Sequence, residues 1–198
     1  MAERQGRVVR ETLETQILIE LSLDGSGQFD IRTGNGMLDH LLAQLARHGR
    51  FDLKIQAQGD LETGWHHLIE DVGISLGRAL REAVGEATGI RRMGHAIVPL
   101  DETLAQVAVD FSGRGYAVVE TGLSEQPLET LPPDLIQHLL ESMAVEGKLT
   151  LHAKILAGRN DHHKAEALFK ALARALADAV EVDPRLGGQV PSTKGSVV

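Results

Sequence analysis

The sequence predicts an α+β fold that consists of two similar half-domains, each with the element order ββαβα. Three observations support this prediction: landmark residues recur in the same order in both halves, alternating apolar runs flank turn residues, and two long Ala- and Leu-rich segments have helical periodicity. Two such units would form sheets with helices packed on one face. We assign residues 1–90 and 91–182 to the two halves and residues 183–198 to a C-terminal tail.

The first part of each half is predicted to be a β-hairpin. The pairs Glu14-Thr15 and Glu102-Thr103 lie 88 positions apart, and each opens an alternating apolar run. Each run reaches a turn rich in Gly and Ser, and a second alternating stretch follows and stops at Thr33 or Thr121. Two strands separated by such a turn are typical of a hairpin.

The second part of each half is predicted to be a helix, a strand and a long helix. Apolar spacing predicts the shorter helices at 37–48 and 134–146, the strands at 51–57 and 149–156, and the long helices at 65–85 and 161–180. The offset between the halves rises to 98 at His40 and His138. The second half therefore carries about ten extra residues, which we place in the loop 123–133.

Composition limits the classes of function. With 42% hydrophobic and 3% aromatic residues, the core must consist mainly of Leu, Ile, Val and Ala. The absence of Cys excludes disulfides, thiolate metal ligands and a Cys nucleophile. A net charge of -8 argues against a nucleic-acid partner. No apolar run is long enough to cross a membrane and the N-terminus lacks a signal-peptide core, so we expect a soluble cytoplasmic protein.

Six of the nine histidines occupy matching positions in the two halves, and a glutamate follows each His-His pair. The matched residues are His40 and His138, His66 and His162, His67 and His163, and Glu70 and Glu166. Adjacent helical residues point about 100° apart, so the two imidazoles of a pair diverge and two ions could each take one. Six imidazoles and two carboxylates would give each ion four ligands and leave positions open for a substrate. Nitrogen and oxygen donors without sulfur suit Mn, Fe, Co, Ni or Zn.

Six stretches that cover most of the chain contain recognisable motifs: GNGMLDHLLAQLARHGRFDL, HHLIEDVGISLGRAL, PLDETL, VDFSGR, HHKAEALFKALARAL and PSTKG. In these stretches and in their order, the chain resembles the imidazoleglycerol-phosphate dehydratase family. The resemblance implies dehydration of D-erythro-imidazole glycerol phosphate to imidazole acetol phosphate in histidine biosynthesis. It also implies two Mn²⁺ ions per active site, bound by the eight matched residues, and a 24-subunit shell with active sites where subunits meet.

The resemblance assigns further roles. It implies that Glu14 is the acid/base residue, with Glu102 as its duplicate partner, and that the substrate is bound by Arg92, Arg114, Lys170, Ser192 and Lys194. Gln44 and His48 follow His40 by one and two helical turns, so we expect them to line the same pocket. The tail is expected to close over the phosphate when substrate binds.

The chemistry explains why two ions would be needed. No carbonyl group lies next to the carbon that loses its proton, so the imidazole ring is the only electron sink. Two ions on the ring would favour an imidazolate-type intermediate that expels hydroxide. The same ligands could also support a binuclear phosphate-ester hydrolase, and a non-catalytic metal-storing cage is a further alternative. The chain departs from the family at Thr63-Gly64-Trp65, where acidic residues usually precede the first His-His pair, and at Met93, where an aromatic residue is usual.

Overall fold

The computed structural model describes residues 4–59 and 61–197, which form two four-stranded sheets and four α-helices. The first half contains β1 (Gln5–Glu11), β2 (Thr15–Ser22), β3 (Phe29–Arg32), α1 (Gly36–Gly49), β4 (Asp52–Gly59) and α2 (His66–Val84). The second half contains β5 (Met93–Leu100), β6 (Thr103–Asp110), β7 (Tyr116–Glu120), α3 (Pro133–Glu146), β8 (Thr150–Ala157) and α4 (Asp161–Val180). The duplicated α+β architecture is confirmed, and each half has one strand more than predicted.

The strands of the two sheets are arranged identically, in the orders β1-β2-β4-β3 and β5-β6-β8-β7. The hairpin predicted between β2 and β3 is wrong, because β3 pairs in parallel with β4 and the hairpin partner of β2 is β1. The turn after β2 is bound to the start of β4 instead, since Asp52 accepts hydrogen bonds from the backbone N–H groups of Ser26 and Gln28. This contact attaches the turn to the start of β4, and the chain then continues to the far edge of β4 as β3.

The first strand of each sheet was not predicted, because its helix-facing position is a glycine. A Cβ atom on Gly6 would lie 2.0 Å from the carbonyl oxygen of Ala79, and one on Gly94 would lie 2.2 Å from that of Ala175. Each edge strand therefore packs directly on the backbone of a long helix. Hydrophobic periodicity cannot reveal a contact that depends on a missing side chain.

The helices connect the two halves. The predicted helix positions are confirmed, and α1 packs on α4 while α2 packs on α3, so that each helix pair draws on both halves. Buried Leu, Ile, Val and Ala side chains form one continuous core with these helices and both sheets. The extra loop before α3 is also confirmed: buried Leu128 and Leu131 pair with each other, and Asn35, which caps α1, donates to the carbonyl of Thr130.

Among the described residues, none of the helices has the length and apolarity needed to span a membrane.

Candidate metal centre

The first cluster of metal-ligand side chains joins α1 to α4. His40 Nε2 lies 2.9 Å from Glu166 Oε2, and His162 Nε2 lies 3.2 Å from the same oxygen. The two imidazole rings are 5.4 Å apart, and one donor atom from each of the three residues lies within 4.8 Å of the other two. We call this group the α1/α4 cluster.

The second cluster joins α2 to α3 and consists of His66, Glu70 and His138. The rings of His66 and His138 stack at 4.8 Å, and Glu70 lies 3.9 Å from His66 Nε2 and 3.6 Å from His138 Nε2. His138 Nε2 is buried and makes no hydrogen bond within the part of the chain that the structure describes. A buried nitrogen without a partner is unfavourable, so this α2/α3 cluster fits a bound cation.

His67 and His163 point away from both clusters. Each is nearly perpendicular to the preceding histidine, with interplanar angles of 86° and 78°. The predicted divergence of adjacent imidazoles is therefore observed. As a consequence, each cluster within one chain holds three of the four predicted ligands, and His67 and His163 face the turns that carry Glu14 and Glu102.

The carboxylate of the α1/α4 cluster is kept ionised. Burial acts to raise the pKa of Glu166, but hydrogen bonds from Lys170 and His40 outweigh it and lower that pKa to about 2. The Lys170 ammonium lies 2.6 Å from Glu166 Oε1, which leaves the other oxygen facing the two imidazoles. In the α2/α3 cluster the position that matches Lys170 is Ile74, so the two clusters differ in charge.

The duplicated glutamates Glu14 and Glu102 have different surroundings. Glu102 accepts hydrogen bonds from the backbone N–H groups of Arg159 and Asn160, and its other oxygen lies 2.8 Å from His163 Nδ1. The hydrogen bond with His163, followed by those from the backbone, holds the pKa of Glu102 far below its usual value. Glu14 is 3.6 Å from His67, and its side chain is 55% exposed. Glu102 is thus fixed as an acceptor, whereas the carboxylate of Glu14 is open.

Four of the predicted phosphate-binding residues line one cavity of about 340 Å³. They are Arg92, Arg114, Ser192 and Lys194. Arg92 forms a bidentate pair with Asp110 at 2.7 and 3.1 Å and also donates to the carbonyl of Pro191, which attaches the tail. Lys170 is not among the residues that line this cavity, because it pairs with Glu166.

The phosphate cavity and the α1/α4 cluster lie at opposite ends of α4. The backbone N–H of Arg92 donates to the carbonyl of Ala179 near the end of the helix, while His162 lies in its first turn. With a rise of 1.5 Å per residue, these two positions are about 25 Å apart. A single chain therefore does not bring both features to one small substrate.

Comparison with known proteins decides the family. A sequence profile described as imidazoleglycerol-phosphate dehydratase matches residues 33–176. The chain is also 55% identical over 195 residues to the imidazoleglycerol-phosphate dehydratase of Dehalococcoides mccartyi strain CBDB1, with 98% of each chain covered. The chain belongs to the imidazoleglycerol-phosphate dehydratase family. This family comprises hydro-lyases of histidine biosynthesis, and the hydrolase alternative is not favoured.

Solved structures of imidazoleglycerol-phosphate dehydratases share the fold. The Staphylococcus aureus N315 structure has a TM-score of 0.81 at 35% identity and covers 90% of this chain and 99% of that one. The Pyrococcus furiosus structure, solved in complex with (S)-C348, has a TM-score of 0.81 at 37% identity and covers 96% of this chain and 99% of that one. The duplicated architecture is therefore that of the dehydratase family.

The two residues that were expected to line the substrate pocket lie farther along α1. Gln44 and His48 follow His40 on the same face of the helix, and both are half-buried. His48 lines a separate cavity of about 600 Å³, together with Arg50 and Arg174. Burial, followed by the positive charge of Lys170, lowers the pKa of His48. Their role in substrate binding by this dehydratase stays a prediction.

Two departures from the dehydratase pattern have visible consequences. Thr63 Oγ1 lies 3.4 Å from His67 Nδ1, so a hydroxyl from the segment Thr63-Gly64-Trp65 contacts this imidazole. In the second half an acidic residue, Asp161, directly precedes the His-His pair. It accepts hydrogen bonds from Ser124 and Lys164 rather than from an imidazole. Met93 is 58% exposed at the start of β5.

Sequence reasoning missed one residue near the site. Asp71 follows Glu70 on α2 and is buried, with Thr15 and Arg10 as its partners. The sequence did contain a signal for Asp71. The equivalent position in the second half is the apolar residue Ala167, so the two halves differ here by a charged side chain. A buried carboxylate is costly unless it is paired, which makes such a difference informative.

Proposed function

We propose that the chain dehydrates D-erythro-imidazole glycerol phosphate to imidazole acetol phosphate with two Mn²⁺ ions per active site. The observation that carries this proposal is the pair of His₂Glu clusters, each of which combines side chains from both halves of the chain. A duplicated ligand set suits a substrate whose imidazole ring has two nitrogen atoms. Family membership supplies the reaction.

The residues fit the proposed ions. The α1/α4 cluster would hold one ion and the α2/α3 cluster the other, with imidazole and carboxylate donors of the kind that Mn²⁺ accepts. The ionised Glu166 and the unpartnered nitrogen of His138 support this assignment. When bound, the two ions act as Lewis acids that withdraw electrons from the substrate's imidazole ring and make it the electron sink of the reaction.

The active site requires more than one copy of the chain. Each cluster lacks a fourth ligand, while His67 and His163 face outward from their own clusters and are half-exposed. The phosphate cavity also lies too far from the α1/α4 cluster along α4 for one small substrate. We propose that His67, His163 and the phosphate cavity of one copy complete the active sites of neighbouring copies. These copies would belong to the 24-subunit shell that the family resemblance implies.

Proton transfer is assigned to Glu14. Its carboxylate is open to the neighbourhood of His67, whereas Glu102 is committed to His163 and to two backbone N–H groups. A group that must both accept and release a proton cannot be fixed permanently as an acceptor. Glu14 would remove the carbon proton or protonate the leaving hydroxyl, and Glu102 would orient His163.

The phosphate is assigned to the cavity of Arg114, Ser192 and Lys194. Arg114 has no carboxylate partner within the described chain, so its guanidinium is available to an anion. The tail, residues 183–198, would close over the phosphate after substrate enters. Lys170 would bind the substrate's phosphate only if a neighbouring copy placed that phosphate next to α4.

The proposal is tested by an assay for imidazole acetol phosphate. Protein stripped of metal with a chelator is compared with protein reloaded with Mn²⁺, and His67→Ala is assayed in parallel. We expect activity to depend on reloading and to be lost in His67→Ala together with bound metal. Full activity of the metal-free protein, or release of inorganic phosphate in place of the dehydration product, contradicts the proposal.

A further inference from the structure

The turn between β1 and β2 carries Glu14 and projects from the body of the protein. Leu13 at its tip is fully exposed, and the side chain of Glu14 is 55% exposed. A turn this open has few packing contacts that could fix its position. The placement of Glu14 opposite His67 therefore depends on the hydrogen bonds of the residues at the two ends of the turn.

A series of hydrogen bonds fixes the residues where the turn joins β2. The backbone N–H of Glu14 donates to Thr12 Oγ1 at 3.1 Å, and Thr12 Oγ1 lies 3.1 Å from Thr15 Oγ1. The Thr15 hydroxyl donates to Asp71 Oδ2. Because a carboxylate only accepts and each hydroxyl has one proton, Thr12 must donate to Thr15, and every bond in the series points toward Asp71.

Asp71 is the final acceptor in this series of hydrogen bonds. It is buried on α2, directly after Glu70 of the α2/α3 cluster, and its second oxygen accepts from Arg10 Nε of β1 at 2.8 Å. Its two oxygens thus bind the two strands on either side of the turn. Asp71 connects the helix that carries the His-His pair to the turn that carries Glu14.

The second half has no counterpart of the Asp71 carboxylate that is bound by Thr15 and Arg10. The positions that match Asp71 and Arg10 are Ala167 and Val98, so the Asp71–Arg10 pair has no counterpart there, and the hydroxyl of Thr103, which matches Thr15, donates to Glu102 itself at 3.4 Å. There the side chain of Glu102 is itself held, by backbone N–H groups and by His163. The first half fixes the backbone of its glutamate and leaves the carboxylate free. The second half fixes the carboxylate.

We infer that Asp71 is a positioning residue for the dehydration reaction. Acting through Thr15 and Arg10, it sets the β1–β2 turn so that the Glu14 carboxylate stands opposite His67. This inference rests on the proposed function, in which Glu14 moves the proton. It predicts that Asp71 affects the rate of the chemical step and has little effect on substrate affinity or on the metal clusters, which it does not contact.

The test measures kcat, KM and bound metal for Asp71→Asn and Thr15→Val in the fully loaded enzyme. Because displacement of a reacting group by about 1 Å can cost on the order of a hundredfold, we expect kcat to fall roughly 10- to 100-fold. KM and metal per chain should stay near the wild-type values. Thr15→Ser keeps the hydroxyl and should restore the rate. If Asp71→Asn does not fold, Thr15→Val alone supplies the test, since it removes a single hydroxyl.

The matched control is Arg78→Met. It removes an ion pair of the same length on the same helix, between Arg78 and Glu146 at 2.8 Å, far from the turn. We expect its kcat to stay at the wild-type value. An equal loss in this control would show that any broken ion pair on α2 impairs the enzyme, and would overturn the inference.

A double variant shows whether Asp71 acts through Glu14. In a Glu14→Gln background, Asp71→Asn should lower kcat by less than about threefold, because the group that it positions is already disabled. An undiminished loss in that background, or an unchanged kcat in both single variants, overturns the inference. Failure of the proposed function is a different result, since the wild-type enzyme would then form no imidazole acetol phosphate.

Discussion

His40 Nε2 lies 2.9 Å from Glu166 Oε2, although the two residues come from different halves of the chain. The contact exists because α1 packs on α4, and the duplicated contact between His138 and Glu70 exists because α2 packs on α3. Each proposed ion therefore links one half to the other. Metal binding and association of the halves should be coupled.

Loss of one imidazole should remove one ion. In His40→Ala the α1/α4 cluster keeps only His162 and Glu166, while the α2/α3 cluster is untouched. We expect bound metal to fall from two ions per chain to about one, with kcat reduced about a hundredfold or more. Elemental analysis after exhaustive dialysis measures the ratio. His152→Ala, an exposed histidine on β8, should keep both ions, and retention of both by His40→Ala would contradict the assignment.

The two arginines of the phosphate cavity should respond differently to substitution. Within the described residues the Arg114 guanidinium donates to the carbonyl of Ser112 alone, so Arg114→Met should raise KM about tenfold or more without changing thermal stability. Arg92 is paired with Asp110 and with the tail, so Arg92→Met should raise KM and also destabilise the protein by about 1–3 kcal/mol. Steady-state kinetics and thermal melts separate the two effects. Equal melting temperatures for the two variants would contradict this division.

The turn after β2 should be sensitive to acid through Asp52. Hydrogen bonds from the backbone of Gln28 and Ser26 lower the pKa of Asp52, so its contribution to stability is present above about pH 3.8 and is lost as pH falls through the lowered value. At pH 7, Asp52→Asn should be less stable by about 1 kcal/mol, since this turn is open to solvent. Metal-free melts across the acid range should show the difference shrinking below pH 3.8. A constant difference would contradict the prediction.

The sequence was sufficient for the helices and for the residues that form the two His₂Glu clusters. Amphipathic segments predicted α1 to α4, and the matching positions in the two halves identified every member of the two clusters. Both signals are local, because they depend on spacing within one helix or on a repeat along the chain. The partner of each histidine is not local, since it depends on which helices pack together.

Strand order and the different surroundings of Glu14 and Glu102 could not be predicted from the repeat. The path of β3 to the far edge of β4 follows a turn that is bound to Asp52, and these hydrogen bonds leave no periodic signal. The two glutamates occupy equivalent positions in the repeat, so the repeat predicts the same surroundings for both. Their contacts distinguish them: the Glu14 carboxylate lies 3.6 Å from His67, whereas the Glu102 carboxylate is bound by His163 and by the backbone N–H groups of Arg159 and Asn160.

The edge strands should tolerate no side chain at their helix-facing glycine. Gly94→Ala would place a methyl group 2.2 Å from the carbonyl oxygen of Ala175, which belongs to helix backbone and cannot move easily. We expect destabilisation by about 1–3 kcal/mol, visible as a lower melting temperature. Gly36→Ala is the matched control, because a Cβ at that position meets nothing within 4 Å. Equal melting temperatures for the two variants would contradict the packing described for β5.

Mixed assemblies should reveal whether the active site is shared between copies. His40→Ala lacks one metal cluster but keeps its phosphate cavity, whereas Arg114→Met lacks a cavity cation but keeps both clusters. Because the two features lie about 25 Å apart along α4, each site would draw them from different copies. Equal co-expression of the two variants should therefore restore about a quarter of the sites, as expected for independent draws from a mixed assembly. Activity of the mixture above the average of the two pure variants is the supporting result. If each chain used only its own cluster and cavity, no mixture could exceed that average, because every copy would carry one defect.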